Sequence, residues 1–525
     1  MNLTLLALLF TITNLPYFTE EANIFVYLPS IGRSHFKPFE PLFFTLAQRG
    51  HNVTVMSRFS SKAKFANYTY IEPKRVHMDI VLSDLRKENR FINWICLHSM
   101  AQKFVITLAE HGELESIVNS KDTKFDLVFI ELYHGDGLLS LGYRFNCPVI
   151  GLSFQQLLPQ YHWLMKNPIT FSYIPHLFSP YKDVMNFWER WINSVFGIFT
   201  ILFNHFVSVP WQQKQINSIL RSANITKIPL FKETRQYLSL ALVESHFTAG
   251  YVKPSVPTIV DVAGIHINTT RNELPQDLQN FINDAKDGFI YVSLGTLIEP
   301  EFVNEIGLNL MEVFRNISHK IIWKWNKTII GDVSNNVMIQ QWLPQIDILN
   351  HPKCKLFISH GGYHSLLETI YSGVPIVAMP FFTDQYYNGG IIEKFSIGKI
   401  TSTKSTTAEL HKIITEVLAN DEYRKNVRHQ SKLFRDRPMS PMDTAVYWVE
   451  YVLRYKGAPH LKSSATKLYW FEYLLLDVIL ASIVTVYVLI YFVKKLINTC
   501  YTYLRKIVVR LRKQELKNVE KCKKN

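Results

Sequence analysis

Two apolar stretches in the second half of the chain each end in polar residues that suit a bound ligand. Residues 355–359 are followed by His360 and two glycines, and residues 374–382 are followed closely by Asp384 and Gln385. In open α/β sheets, ligands bind beyond the carboxyl ends of the strands. If both stretches are parallel strands, these polar side chains meet at one edge of a sheet. The spacing therefore predicts a ligand site at that edge.

The glycine turns in this half of the chain suit a phosphate group. The segment "YVSLGT" places Ser293 and Thr296 at the end of a third apolar stretch, where hydroxyls and free backbone amides meet an oxyanion. The segment "SHGG" precedes a predicted helix, whose N-terminus stabilises negative charge by about 0.3–2 kcal/mol. Gly361 allows close backbone approach, and the His360 ring donates to a phosphate oxygen. One such turn is commonly just a turn, but two at one predicted edge favour phosphate.

Other residues nearby match the rest of a nucleotide. Trp342 offers a face on which a base stacks, or else is a core residue near a turn, and Gln345 offers an amide for the base edges. His360, His364 and Glu368 recur at every fourth position, so they are predicted to share one helix face. The Glu368 carboxylate is suited to accept hydrogen bonds from two vicinal ribose hydroxyls. Asp384 and Gln385 offer an acceptor and an amide to sugar hydroxyls.

The elements that must position these residues follow one pattern in both halves of the chain. The first half opens with "NIFVYL", a loop and a helix over residues 37–49, and the second opens with "DGFIYVSLGTL". Near-continuous apolar runs are typical of buried parallel strands, and their alternation with helices predicts α/β sheets. The Pro-containing stretch at residues 253–270 marks the boundary. We therefore predict two facing, doubly wound domains, residues 23–255 and 256–470, with a cleft between them.

Residues 153–235 fit this pattern less well, because they are rich in Phe, Trp and Tyr. The segment "WINSVFGIFTILFNHFV" is apolar but contains Asn193, Asn204 and His205. We interpret it as a core helix or the wall of a pocket for apolar ligands, in preference to a membrane-inserted element.

The positive charge of the chain is concentrated at its C-terminus. The formal net charge is +14, and eleven Lys or Arg residues against two Glu lie between residue 492 and the end. The basic character thus belongs to a tail and not to a binding face, which disfavours nucleic acid as a partner.

A membrane span is predicted just before this tail. The nineteen residues 474–492 are apolar apart from Asp477, and at a rise of about 1.5 Å per residue they reach about 28 Å, close to the ~30 Å hydrocarbon core. Lys494 and Lys495 follow directly. The positive-inside rule therefore places the tail, residues 493–525, in the cytosol and the preceding domains in a lumen.

The N-terminus and the sequons agree with that topology. Residues 1–22 contain an apolar stretch and are predicted to be a signal peptide, although the segment before that stretch lacks Lys and Arg. Candidate glycosylation sites are Asn52, Asn67, Asn224, Asn268, Asn316 and Asn326. Lys521 and Lys523 resemble the dilysine retrieval signal of endoplasmic reticulum membrane proteins. We expect a single-pass type I glycoprotein of that membrane, and leave open a homo- or hetero-oligomer.

The segment from Trp342 to Gln385 resembles the signature of the UDP-glycosyltransferases, the family that includes animal UDP-glucuronosyltransferases and insect UDP-glucosyltransferases. The resemblance extends to "RDRPMSPMDTAVYWVEYVLRYKGAPHL" and the stem after it, and so covers nearly the whole chain. It implies the GT-B fold, in which two Rossmann-like domains face each other and the C-terminal one holds the nucleotide sugar.

The resemblance also implies a role for each motif residue. The uracil contacts are Trp342 and Gln345, the ribose contact is Glu368, the diphosphate contacts are Ser293, Thr296, His360 and Gly361, and the donor-sugar contacts are Asp384, Gln385 and Asn388. His364 stands where relatives usually carry Asn or a small residue. A histidine still donates to phosphate, but with a different geometry, so its contact with UDP is left open.

The catalytic base is expected from the first domain. Transfer to a hydroxyl requires removal of its proton, and His has a suitable pKa. His35, in the loop "GRSHF", resembles the base of the family in position. An imidazolium needs a carboxylate behind it. We favour Glu131, which stands where many relatives have Asp, and keep Asp136 as the alternative.

The reaction is predicted to need neither metal nor cofactor. No Asp-x-Asp pair occurs in the chain, so helix dipoles and hydrogen-bond donors are expected to neutralise the leaving UDP. The attack is then a single displacement with inversion at the sugar.

Glucose is the favoured donor sugar, and UDP-glucuronate is the alternative donor. The stretch "LALVESHF" lacks the Arg that glucuronosyl enzymes commonly carry near the interdomain link, and it offers Glu244, which repels a sugar carboxylate. The aromatic first domain favours a small lipophilic acceptor with a hydroxyl, such as a phenol, a steroid or a plant toxin, and hence a role in detoxification. Two further interpretations are a non-catalytic lumenal partner subunit of the same fold and a transferase acting on a lipid or polysaccharide.

Overall fold

The computed structural model describes residues 21–29, 32–59, 66–73, 93–96, 98–99, 112–222, 230–267, 272–295, 304–325 and 332–522. The described residues up to Lys462 form one compact unit, and those from Ser463 onward form a second. The predicted signal peptide lies outside the described residues except for its last two positions. Thr296, Asn224, Asn268 and Asn326 also lie outside them.

The first sheet of the larger unit has seven parallel strands in the order β3-β2-β1-β4-β5-β6-β7. Its strands are β1 (Asn23–Leu28), β2 (Asn52–Ser57), β3 (Tyr68–Ile71), β4 (Leu127–Glu131), β5 (Val149–Ser153), β6 (Leu238–Val243) and β7 (Ile259–Asp261). The strand order reverses between β1 and β4. Such a switch point opens a crevice at the carboxyl ends of the strands.

The second sheet has six parallel strands in the order β10-β9-β8-β11-β12-β13. Its strands are β8 (Phe289–Ser293), β9 (Lys320–Lys324), β10 (Val337–Gln340), β11 (Cys354–Ser359), β12 (Ile376–Ala378) and β13 (Gly398–Ile400). The order reverses between β8 and β11, where Ser293 pairs with Ser359 at the ends of the two strands. The motif residues identified in the sequence follow these two strands.

Helices cover both sheets, as expected for parallel strands that read as continuous apolar runs. The described α-helices are α1 (Arg33–Phe36), α2 (Glu40–Gln48), α3 (Glu113–Asn119), α4 (Ser140–Phe145), α5 (Pro159–Leu164), α6 (Phe187–Phe203), α7 (Val209–Ser222), α8 (Phe231–Thr234), α9 (Gln276–Asn283), α10 (Asn304–Arg315), α11 (Gln345–Leu349), α12 (Tyr363–Ser372), α13 (Gln385–Lys394), α14 (Thr407–Ala419), α15 (Asp421–Arg435), α16 (Pro441–Arg454), α17 (Trp470–Tyr473) and α18 (Leu476–Cys522). A π-helical turn, Asn204–Ser208, joins α6 to α7.

The first sheet continues past the boundary that the sequence suggests at residue 255. Strand β7 pairs with β6 and so belongs to the first sheet. Helix α16, far along the chain, returns to this sheet and buries Val446 and Val449 in its core. Glu450 of α16 is buried and accepts a hydrogen bond of 2.6 Å from Arg49 Nε. The second half of the chain therefore completes the first sheet, a long-range contact that local sequence patterns do not reveal.

The smaller unit consists mainly of α18, whose apolar side chains are exposed along its length. This helix continues to Cys522 and does not end near residue 492, where the sequence places the end of the membrane span. Two described stretches, Phe187–Arg221 and Leu476–Val519, are long and apolar enough to cross a membrane by length and composition alone. The first contains α6, which is partly buried in the larger unit and has exposed large apolar residues such as Trp188. Phe206, in the π-helical turn after α6, is exposed as well.

The described sequons lie in different surroundings. Asn316 is exposed, whereas Asn52 and Asn67 are half-buried. Asn52 is the first residue of β2, and its side chain donates to Glu21 Oε1 over 2.7 Å. Of the three, Asn316 is the most accessible to a modifying enzyme.

Candidate active site

His35 lies at the switch point of the first sheet. It belongs to the short helix α1, which begins after Gly32, close to the end of β1. Its Nδ1 lies 2.7 Å from Glu131 Oε1, and its ring stacks on Phe154 with centroids 3.4 Å apart. Because Nδ1 is engaged by the carboxylate, Nε2 is the ring nitrogen that remains for a substrate hydroxyl.

The structure places the two candidate carboxylates in different surroundings. Glu131, the last residue of β4, contacts His35. Asp136 is buried elsewhere, with its oxygens 3.3 Å from the Tyr161 hydroxyl and 3.3 Å from Asn204 Nδ2. Burial raises the pKa of Asp136 to about 6. Of the two, only Glu131 is brought to the histidine.

Tyr133 connects the edges of the two sheets. Its ring meets the His35 ring edge-on, with centroids 5.5 Å apart. Burial raises the pKa of the Tyr133 phenol, and the charges of Asp384 and Glu131 raise it further. Tyr133 therefore lies within electrostatic reach of residues that belong to opposite sheets. The sequence analysis missed it, although an aromatic residue two positions after the strand end was a usable signal.

Of the predicted diphosphate residues, the three that the structure describes, Ser293, His360 and Gly361, lie at the switch point of the second sheet. Ser293 ends β8, and His360 follows β11. A Cβ on Gly295, whose φ is +93°, would come within 2.9 Å of the His360 ring, so only glycine lets the two loops approach this closely. Gly361 has φ +79°, a conformation in which glycine avoids the strain that other residues incur. Burial lowers the pKa of His360 to about 4, with a smaller contribution from Lys324. At neutral pH the ring is therefore uncharged.

His360 does not lie on the helix that carries the other two residues predicted to share its face. Helix α12 begins at Tyr363, after the glycine turn, and contains His364 and Glu368. The glycine turn interrupts the helical spacing before it reaches His360. His360 is therefore a loop residue at the start of the helix.

Trp342 is exposed over 62% of its surface, which fits a stacking platform and not a core residue. Its ring lies under two cations: Arg33 Cζ is 5.1 Å and Lys324 Nζ is 4.8 Å from the ring centroid. Arg33 comes from the first sheet, two residues before His35, and Lys324 ends β9. The sequence analysis missed both cations. Their positive charge suits an anionic nucleotide beside the indole ring.

Gln345 and Glu368 are held together by hydrogen bonds. Gln345 Nε2 donates to Glu368 Oε2 over 2.7 Å and to Ser365 Oγ over 3.3 Å. The hydroxyl of Tyr291 lies 3.2 Å from Gln345 Oε1. These contacts fix the orientation of the amide, so the Glu368 carboxylate and the Gln345 amide share one side of the site.

The predicted donor-sugar residues, Asp384, Gln385 and Asn388, hold two loops in place. Asn388 Nδ2 donates to Gly361 O and to Asp384 Oδ2, both over 2.9 Å. Gln385 Oε1 accepts from the backbone N–H of Phe381 and of Phe382. Asn388 is fully buried and holds the loops in place, and its contact with the donor sugar stays a prediction. Burial raises the pKa of Asp384.

His364 is bonded across the cleft and not to its own domain. Its Nε2 makes a short hydrogen bond to Glu244 Oε2, directly after β6. His266 Nδ1 lies 3.0 Å from the other oxygen of Glu244. Burial alone would raise the pKa of Glu244, but the charges of His364 and His266 outweigh it and lower the pKa to about 2. Glu244 is therefore compensated, and His266 is a further residue that the sequence analysis missed.

Taken together, the two switch points face each other with complementary chemistry. The edge of the first sheet supplies an imidazole that has a free nitrogen and a carboxylate behind it. The edge of the second supplies an exposed indole with Lys324 beside it, a carboxylate-amide pair and a helix N-terminus, and Arg33 reaches the same indole from the first sheet. The arrangement suits deprotonation of a hydroxyl beside a bound nucleotide sugar.

Comparison with known proteins agrees with this arrangement. A family model described as "UDP-glucoronosyl and UDP-glucosyl transferase" matches residues 28–511. "UDP-glycosyltransferase UGT4" of Dactylopius coccus is 53% identical over 87% of this chain and 91% of its own length. "UDP-glucosyltransferase 2" of the same insect is 31% identical, with 89% and 91% covered. Human "UDP-glucuronosyltransferase 1A8" is 29% identical, with 89% and 90% covered.

Solved structures support the same fold. The glycosyltransferase of kitacinnamycin matches with a TM-score of 0.56 at 14% identity, covering 83% of this chain and all of its own. The calicheamicin glycosyltransferase CalG4 matches with a TM-score of 0.53 at 18% identity, covering 83% and 99%. The predicted α/β class and GT-B fold, with two Rossmann-like parallel sheets and a C-terminal apolar helix, are thus confirmed.

Proposed function

The chain belongs to the UDP-glycosyltransferase family, and from that premise we propose that it transfers glucose from UDP-glucose to a hydroxyl of a small lipophilic acceptor. That the enzyme transfers a sugar from a UDP-sugar follows from its family. The proposal adds the sugar, the acceptor class, inversion at the sugar carbon and His35 as the general base, with no metal or cofactor in the reaction.

The observation that carries the proposal is the contact between His35 and Glu131. A hydroxyl bound at His35 Nε2 gives up its proton to this nitrogen as its oxygen attacks the sugar carbon. The resulting imidazolium is stabilised by the carboxylate 2.7 Å from Nδ1. One imidazole is enough, because a single displacement forms one bond and breaks one bond at the sugar carbon and releases one proton from the acceptor.

The leaving UDP is stabilised mainly from the second sheet, with one cation, Arg33, from the first. The glycine turn after β11 leads into the N-terminus of α12, which no side-chain hydrogen bond caps, and this end of a helix favours anions. Arg33 and Lys324 add positive charge near Trp342. These groups take the role that a metal ion has in other transferases.

The choice of glucose rests on the stretch from Leu240 to Phe247, which lacks an Arg to pair with the carboxylate of a glucuronyl group. Asp384, which is bonded to Thr383 and Asn388 at 2.9 Å each, offers its oxygens to sugar hydroxyls with either donor. Because Glu244 is paired with two histidines, it is a weaker argument against glucuronate than the sequence alone suggests.

The acceptor class follows from the rings around His35. Phe154 stacks on the imidazole and Tyr133 meets it edge-on. An acceptor whose hydroxyl reaches Nε2 therefore meets apolar surface next to its reacting atom. Small aromatic alcohols fit this surface better than polar sugars or peptides, which is consistent with a role in detoxification.

We further infer that the enzyme is a type I glycoprotein of the endoplasmic reticulum membrane. The inference is supported by the predicted signal peptide, the apolar helix α18 and the Lys-rich end of the chain. Asn316 is the described sequon best exposed for a glycan. Protease protection of the larger unit in sealed microsomes, together with a shift in mass on deglycosylation, tests this topology.

The donor is tested by incubating microsomes that contain the full-length protein with UDP-glucose or UDP-glucuronate and a panel of phenols. We expect a β-linked glucoside with UDP-glucose and release of UDP only when a phenol is present. Product with UDP-glucuronate and none with UDP-glucose would show that the donor sugar is glucuronic acid and not glucose. Absence of product with either donor would favour the non-catalytic partner subunit.

A further inference from the structure

Three side chains from separate parts of the larger unit converge on one point next to the nucleotide site. Glu244 follows β6 of the first sheet, His266 lies in the link between the sheets, and His364 lies in the first turn of α12. One ligand atom from each lies within 4.8 Å of the other two. Glu244 is fully buried, and one of its oxygens faces each imidazole.

The types of these groups match those of a transition-metal site, and small shifts of their side chains would bring all three to one ion. Two imidazole nitrogens and one carboxylate oxygen are the ligands of several zinc centres, with bonds of about 2.0–2.2 Å and a fourth position left for water. The His266 and His364 rings are perpendicular, with centroids 5.1 Å apart. Perpendicular rings allow both nitrogens to point at one ion without contact between the rings.

The surroundings of His266 strengthen this assignment. Its Nδ1 faces Glu244, and its Nε2 lies 3.5 Å from Glu368 Oε1. Histidines that bind metals commonly donate their second ring N–H to a carboxylate, which fixes the tautomer and the ring orientation. Glu368 is itself held by the Gln345 amide at 2.7 Å. The cluster thus has both the ligands and the outer carboxylate of a metal centre.

We propose that Glu244, His266 and His364 bind one divalent cation of the Zn²⁺ class, and that this ion joins the first sheet to the start of α12. Calcium and magnesium are excluded as preferred ions, because they favour oxygen ligands over imidazole. Without the ion, hydrogen bonds hold the three side chains together. Binding of the ion would displace the protons of these hydrogen bonds. Binding does not require catalysis, so the proposal is tested without a sugar donor.

The experiment is a Zn²⁺ titration of the full-length, tag-free protein in detergent, in competition with a chromophoric chelator. We expect one equivalent to bind at this cluster. Co²⁺ in place of Zn²⁺ should give the intense visible absorption of a four-coordinate site. Failure of the wild-type protein to bind Zn²⁺ in competition with the chelator would overturn the proposal.

Variants identify which residues hold the ion. His364→Asn and Glu244→Gln should each abolish the bound equivalent, and Glu368→Gln should weaken it about 10- to 100-fold as an outer carboxylate. His429→Asn, which alters an exposed histidine of α15, is the matched control and should bind like wild type. If Glu244→Gln does not fold, the conservative His364→Asn decides. Equal Zn²⁺ binding by His364→Asn and wild type would refute the site.

Discussion

The carboxyl edges of the two sheets are built in different ways. At the second sheet, the predicted ligand residues bind one another: Gln345 holds Glu368, and Asn388 holds both Asp384 and Gly361. At the first sheet, His35 has one polar partner and otherwise contacts aromatic rings. The first arrangement fixes polar groups for an unchanging nucleotide. The second fixes one proton acceptor and leaves apolar surface for the other substrate.

This difference predicts that substitutions at the two edges affect different properties of the enzyme. Loss of the imidazole should remove the chemical step, because His35 is the group proposed to accept the proton. Loss of one member of the polar network should weaken donor binding by about the strength of one hydrogen bond, since the other members still offer their groups to the nucleotide.

The largest effect is expected for His35→Ala. Removal of a general base lowers turnover by about 10²–10⁴. Initial rates of glucoside formation at saturating donor and acceptor measure this change. A rate within tenfold of wild type would show that the edge of the first sheet does not supply the base.

Asp136→Asn should change stability but not turnover. Burial holds the pKa of Asp136 at about 6, above its ordinary 3.8, so the folded state binds this proton more tightly than the unfolded state. The stability that Asp136 contributes is present below pH 3.8 and is lost as the pH rises through 6. The free energy of unfolding of the variant should therefore rise relative to that of wild type over this interval, by up to about 3 kcal/mol at neutral pH.

Thermal unfolding of both proteins between pH 4 and pH 7 measures that gain. A constant difference across this range would contradict the assigned pKa. A fall in turnover would return Asp136 to the role of partner of the base.

Glu131→Gln should lower turnover by about ten- to a hundredfold, since a hydrogen bond to a charged group contributes about 1.5–3 kcal/mol. The imidazolium that forms during transfer loses its carboxylate partner, so the chemical step should slow. Glu131→Asp, which keeps the charge, is the matched control and should restore most of the rate. A Gln variant with an unchanged turnover would mean that Glu131 has only a packing role.

The smallest effect is expected for Glu368→Gln at the edge of the second sheet. The change removes a charged acceptor for ribose hydroxyls but keeps a side chain of the same size. One hydrogen bond of about 0.5–1.5 kcal/mol corresponds to a rise in the donor KM of roughly two- to tenfold with little change in kcat. A fall in kcat with an unchanged KM would place Glu368 in the chemical step.

The sequence was informative where a motif is local. The residues after β8, β11 and β12 follow apolar runs directly, and parallel strands bring their ends to one edge, so the sheet edge that carries Ser293, His360 and Asp384 was predictable. Glu131 and Asp136 are only five positions apart, and strand geometry brought just one of them to His35. The spacing alone could not distinguish them.

Contacts between distant segments were not predictable from one sequence. Arg33 reaches Trp342, Glu244 reaches His364, and α16 packs on the first sheet. Each of these contacts depends on how distant parts of the chain pack together, and the local spacing of apolar residues carries no information about that packing. The same holds for β7, which extends the first sheet beyond residue 255.

The most direct test of the division between the two edges is the affinity of the His35→Ala protein for UDP, measured by calorimetry on the preparation used for its turnover. If His35 takes no part in holding the nucleotide, the Kd for UDP should stay within about twofold of wild type while transfer is lost. A Kd that rises in step with the lost turnover would make His35 a donor ligand and contradict the account.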